Sequence, residues 1–274
     1  MNKKRKNGVV ILTECSIMIA LSTVLSIVKL FELPYGGSIT PASMLPIIII
    51  AYRHGVGTGL ASALGASLIQ MLLGLNNVLY FSTWQSAIAV ALLDYVVAFG
   101  VFGLAGSLRK FISSQGLSLI CGTGICSLLR YACHVIAGAT VWAGFSIPTE
   151  AALIYSMSYN ATYMIPETII LTLATAYIGA SLDLKAPIPR RKRGEKLDTV
   201  SAICYFGAGL VALSALVCDT VLVFSRLQDA DSGEFSITGL SEVSWLAVGI
   251  ITVSAILVAI ALVIIPRVRA KGKA

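Results

Sequence analysis

The chain has 274 residues, 57% of them hydrophobic and only 12% charged. A soluble domain averages about 25% charged residues, so this composition excludes a water-soluble globular protein and indicates an integral membrane protein. The formal net charge of +7 comes from loop lysines and arginines that set topology, and not from a nucleic-acid-binding surface.

Eight apolar stretches approach the ~20 residues that a bilayer requires: 9–31, 40–52, 55–75, 84–106, 117–143, 150–182, 200–224 and 243–265. The second is short. The alternation of a membrane barrel is missing, so the expected fold class is all-α. Under this count every lysine and arginine except Lys29, Arg130 and Arg226 falls on one side. By the positive-inside rule that side is cytoplasmic and holds both termini. The first stretch is long and lacks a cleavage motif, so it is expected to remain as a span.

Span 1 carries Glu14 and a small-xxx-small pair, Ser16 and Ala20, which permits close approach of another helix. The following loop, ELPYGGSITPAS, is rich in Gly and Pro. Its residues Tyr35, Gly36, Gly37 and Ser38 are a candidate lid, with a plain connection as the alternative. In span 3, Gly55, Gly59, Ala63 and Ser67 recur every four residues, which predicts a packing seam. His54 is expected to be solvated.

Span 4 starts at Trp84 and places Asp94 ~15 Å deep at 1.5 Å per residue, beside Tyr95. A carboxylate at that depth needs a partner. Arg130 is one candidate, and a cationic ligand is the other. Span 5 puts His134 ~12 Å below Trp142, and span 6 puts Asn160 ~15 Å in, below Tyr155. Spans 5 and 6 meet at a loop, Gly144 to Thr149. The counts describe a pocket open to the outside, with Asp94, His134 and Asn160 at its floor and Trp84, Trp142 and Tyr155 above. Aromatic faces and a carboxylate suit a flat, cationic, partly aromatic ligand. The alternative is an interfacial aromatic belt around an internally satisfied Asp–Arg pair. Pro166 is expected to kink span 6, with Glu167 beside it.

The run KAPIPRRKRGEKLD is a basic linker. It divides the chain into a six-helix domain (1–184), a linker (185–198) and a two-helix extension (199–274) of open role. The six cysteines, Cys15, Cys121, Cys126, Cys133, Cys204 and Cys218, form no C-x-x-C pair and are expected to be apolar fillers, with no metal site and no cofactor. No P-loop, H-E-x-x-H or G-x-S-x-G motif occurs, so an enzyme is not expected.

Six segments occur in order: LTECSIMIAL, PYGGSITPASMLPI, YRHGVGTGL, LLDYVVAFGVFGLAG, RYACHVIAGATVW and IYSMSYNATY. With them, residues 12–184 resemble the thiamine-specific substrate-binding (S) components of energy-coupling-factor vitamin transporters. The resemblance implies a six-helix bundle in the cell membrane. It implies thiamine, or a related cationic heteroaromatic, bound by Trp84, Asp94, Tyr95, His134, Trp142, Tyr155 and Asn160. It implies partners: a transmembrane coupling (T) subunit, docking at Ser16 and Ala20, and two cytoplasmic ATPase subunits. Asp94 stands where a relative has glutamate, and the lid region GGSITPAS lacks that relative's tryptophan and glutamate. Two other readings stay open. One is an S component for a different heteroaromatic, such as a thiamine precursor. The other is a self-sufficient proton-coupled carrier using Asp94, Arg130 and Glu167.

Overall fold

The computed structural model describes residues 3–33, 36–143, 152–192, 199–227 and 237–271. Tyr35 of the candidate lid, the 144–149 loop and the 193–198 part of the linker lie outside them.

The chain divides into two units, residues 1–192 and 193–274. In the first, α1 (Lys3–Ile27) leads into a two-stranded hairpin, β1 (Phe31–Glu32) and β2 (Ser38–Ile39), with Phe31 opposite Ile39. Lys29 forms an ion pair with Glu32 at its base. Then come α2 (Leu45–His54), α3 (Val56–Leu73) and the short α4 (Leu75–Leu79). A continuous span follows: α5 (Trp84–Val90), a π-helical turn (Ala91–Val97), α6 (Ala98–Gly100) and 3-10 turns to Lys110. Two long helices, α7 (Gln115–Thr140) and α8 (Ala152–Ser181), close the bundle. The Thr83 and Ser114 hydroxyls cap α5 and α7 by accepting the N–H of Ser86 and Leu117, each at 3.4 Å.

Among the described residues, seven helices are long and apolar enough to cross a membrane, against the eight spans expected. The eighth is the second stretch, already marked as short by the sequence. α2 has only ten residues, about 15 Å at 1.5 Å per residue. Thr40 to Met44 are spent in an irregular turn, where Ala42 takes a positive φ of 62°. α2 is nonetheless the centre of the core, with Ile47, Ile48, Ile50 and Tyr52 almost wholly buried.

The seam in α3 forms over Gly59, Ala63 and Ser67, all buried. A Cβ at Gly59 would lie 2.6 Å from Ala51 Cβ and from the Gly103 carbonyl, so only glycine lets these three segments meet. Gly55, the fourth member, is the junction between α2 and α3, with a φ of 91° that favours glycine.

Polar side chains knot the basic end of this unit. Arg53 binds Glu14 through Nε–Oε1 (2.5 Å) and Nη2–Oε2 (3.2 Å), and it donates to the carbonyls of Leu184, Ala186 and Pro187. His54 Nε2 lies 2.9 Å from Glu14 Oε2, which corrects the expectation of a solvated ring. Arg109 donates to the Tyr52 and Arg53 carbonyls, and Gln115 to those of Gly179 and Leu182. After α8 the chain forms a small hairpin, β3 (Leu182–Asp183) with β4 (Arg190–Arg191).

The second unit is an antiparallel helix pair, α9 (Thr199–Leu227) and α10 (Trp245–Lys271). Inside it Thr252 Oγ1 donates to Asp219 Oδ2 at 2.6 Å. All six cysteines are free thiols.

Candidate functional site

The site is built where the π-helical turn faces α7 and α8. A π turn holds more residues than an α turn and is often found where a helix carries function. Here it carries Asp94 and Tyr95. Asp94 Oδ1 lies 2.8 Å from His134 Nδ1, and Asp94 Oδ2 accepts the Trp142 indole N–H at 3.0 Å. Asp94 and Arg130 are not partners. Arg130 Nη1 donates instead to Glu167 Oε2 at 2.7 Å, its guanidinium lies 4.5 Å from the Phe99 ring centroid, and its Nε donates to His134 Nε2 at 3.3 Å. A guanidinium only donates, so His134 Nε2 is an acceptor and the ring hydrogen sits on Nδ1. From there it is donated to Asp94. The Arg130 contact thus orients the imidazole with Nδ1 toward Asp94.

The other predicted residues divide into three groups. Asn160 is 5% exposed and held within α8. Its Nδ2 donates to the Ser156 carbonyl (2.9 Å), and its Oδ1 accepts from the Tyr163 hydroxyl (2.7 Å). Tyr163 in turn lies edge-on to His134, with ring centroids 6.4 Å apart. The three residues placed at one level by counting are thus linked through Tyr163. Trp142 and Tyr155 are both buried. Tyr95 points away from Asp94: its hydroxyl donates to the Gly74 carbonyl (3.1 Å) and accepts from Asn77 Nδ2 (3.3 Å). It braces the α3–α4 corner. Trp84 is 70% exposed at the first turn of α5. The aromatic wall beside Trp142 is supplied by Tyr80, stacked at 5.9 Å, and Phe81, edge-on at 4.7 Å.

The loop before α2 covers this region. The Gly37 N–H donates to the Tyr159 hydroxyl at 3.1 Å. Gly36, with a φ of 95°, passes so close to Asn77 that a Cβ would collide with its amide. Thr40 Oγ1 reaches Glu167 Oε1 at 2.5 Å. Sequence reading missed Asn77, Tyr80, Phe81, Tyr159 and Tyr163. A signal existed for each group: the polar–aromatic run NNVLYFSTW, and Tyr155, Tyr159, Tyr163 and Glu167 spaced by four along one helix face. Among the described residues no group of His, Cys, Asp or Glu could hold a metal ion.

Three comparisons bear on this arrangement. Residues 12–185 match the model of the family described as thiamine transporter protein (Thia_YuaJ). The chain is 37% identical over 181 residues to the thiamine transporter ThiT of Bacillus subtilis (strain 168), covering 62% of this chain and 89% of that protein. Its fold is like that of ThiT from Listeria monocytogenes, with a TM-score of 0.51 and 24% identity over 65% of this chain and 95% of the other. These relatives are named as transporters, not enzymes. A match over residues 12–185 of the first unit, with the polar cluster inside it, places the chain in the thiamine transporter protein family, as a multi-pass membrane protein of the S-component type.

Proposed function

We propose that this chain is the thiamine-capturing subunit of an energy-coupled vitamin importer in the cell membrane. One observation carries the reading: a half-buried carboxylate, Asp94, is held by the rings of His134 and Trp142, while the nearby Arg130 is bound by Glu167. Arg130 being taken by Glu167, the Asp94 carboxylate stands beside an aromatic wall without a guanidinium of its own. A thiazolium cation with an attached aminopyrimidine complements it in charge and shape. Asp94 supplies the countercharge and Trp142 the stacking surface. His134, Tyr155 and Asn160 offer hydrogen bonds, and residues 36–38 act as the lid over the site. Tyr95 supports the site from behind, and Trp84 serves at its rim.

In this reading both termini are cytoplasmic and the pocket faces outward. Residues 1–184 capture the vitamin, 185–198 form a basic linker, and 199–274 are an added helix pair. Release inward requires a transmembrane coupling subunit and two ATPase subunits. Ser16 and Ala20, both exposed on α1, are the proposed docking face for the coupling subunit. The self-sufficient carrier loses support, because Arg130 and Glu167 bind each other. An S component for a thiamine precursor would share the same charge complementarity.

Titration of the detergent-purified protein with thiamine, read by tryptophan fluorescence and calorimetry, tests the proposal. Saturable quenching with matching heat supports a thiamine receptor. A folded sample with neither signal refutes it, and a panel of precursors then decides the alternative.

A further inference from the structure

Beside the Asp94 carboxylate lies a second charged pair, to which the capture reading gives no part in choosing between ligands. Arg130 and Glu167 are 7% and 4% exposed and meet at 2.7 Å on α7 and α8. Desolvating two such charges costs several kcal/mol per ion, and apolar side chains would fill the same space without that cost. Both members also make a further contact. Arg130 gives Nη1 to Glu167 and Nε to His134. Glu167 accepts from Arg130 on one oxygen and from Thr40 on the other.

This wiring has an electrostatic consequence. Asp94, Arg130 and Glu167 are linked through His134 into one cluster, so their charges act together in a low-dielectric setting. With Glu167 ionised, the arginine charge is cancelled at its far end and Asp94 is left over. With Glu167 neutral, the arginine charge would be free to balance Asp94, and a cationic ligand would lose its attraction.

We propose that the Arg130–Glu167 pair determines specificity: Glu167 draws the arginine charge away from the pocket, so that Asp94 selects a cation over a neutral molecule of the same shape. Arg130 is at the same time the positioning residue that fixes His134 with its hydrogen toward Asp94. The inference rests on the capture reading for the identity of the ligand.

The test compares thiamine with its deaza isostere, in which carbon replaces the charged thiazolium nitrogen. The ratio of the two affinities is the readout, because a purely structural role would weaken both ligands alike. Glu167→Gln is expected to lower the ratio by about tenfold, and Arg130→Gln to raise it, since an unmatched glutamate adds negative charge. R130Q/E167Q, which removes both charges, is expected to return the ratio to the wild-type value. Ratios that stay at the wild-type value in both single variants overturn the proposal, as does a double variant that keeps the low ratio. If Glu167→Gln does not fold, Arg130→Gln decides alone: a raised ratio supports the proposal and an unchanged one overturns it. Wild-type protein that binds neither ligand refutes the thiamine reading and this proposal together. Wild-type binding with unmoved ratios refutes this proposal only.

Discussion

The backbone N–H of Gly37 donates to the hydroxyl of Tyr159 at 3.1 Å, joining the loop after α1 to the first third of α8 across 122 residues of chain. Glycine is required there by space. A Cβ at residue 37 would fall 2.8 Å from Tyr159 Oη and 2.9 Å from Tyr163 Cδ1. Gly37→Ala is therefore expected to lift the loop and speed ligand release, by about tenfold or ~1.4 kcal/mol. Tyr159→Phe removes only the hydrogen bond, a loss of about 0.5–1.5 kcal/mol, and should act more weakly in the same direction. Stopped-flow dissociation of thiamine measures both. Wild-type release rates in Gly37→Ala would show that this loop is not a lid.

Asp94→Asn keeps the size of the side chain and removes its charge. The amide can still accept one N–H donor, so His134 or Trp142 keeps a partner. What is lost is the attraction for a cation. Thiamine affinity should fall at least about tenfold, equivalent to ~1.4 kcal/mol. Calorimetric titration reads the change, and an unaltered affinity would remove Asp94 from its assigned role.

The two candidate tryptophans are expected to separate cleanly. Trp142 is buried and bonded to Asp94, whereas Trp84 is 70% exposed. Trp142→Phe should abolish most thiamine-dependent quenching and weaken binding. Trp84→Phe should leave the affinity within about twofold, less than ~0.5 kcal/mol. Equal losses from the two variants would mean that α5 moves Trp84 onto the ligand when the site fills.

The residues that counting could place were those whose position follows from helix rise alone. Asp94, His134 and Asn160 come near one another because each lies eight to ten residues from a span end that the sequence marks. Rotation about the helix axis was less legible. Tyr95 turns away from Asp94, as successive residues do at about 100° apart on a helix, and the π turn that carries both is announced by no residue type. Partner choice was also hidden. Arg130 and Glu167 are 37 residues apart on different helices, so only tertiary packing decides that Arg130 meets Glu167 and not Asp94. The brevity of α2 was legible, because Pro41 and the polar residues of SITPAS bound its apolar run.

Arg53 provides the test of what holds the opposite end of the bundle. Its side chain is 4% exposed and has no apolar role open to it, since every nitrogen is spent on a fixed acceptor. Two acceptors are the Glu14 oxygens on α1, and three are carbonyls of the segment that leaves α8. The side chain thus ties the first and last helices of this unit to the end of α2. Arg53→Met would leave Glu14 with His54 as its remaining side-chain partner and three carbonyls without this donor. Removing one member of a buried pair costs about 3–5 kcal/mol. The partial exposure of Glu14, 19%, puts the expected loss at the lower end, about 3 kcal/mol. The thermal midpoint in detergent should fall by several degrees, while thiamine affinity of the folded fraction stays at the wild-type value, because the ligand cluster does not include Arg53. A variant with normal thermal stability would show that the carbonyls and Glu14 find other donors. A stable variant with weakened binding would instead show that this knot and the pocket are coupled through α2.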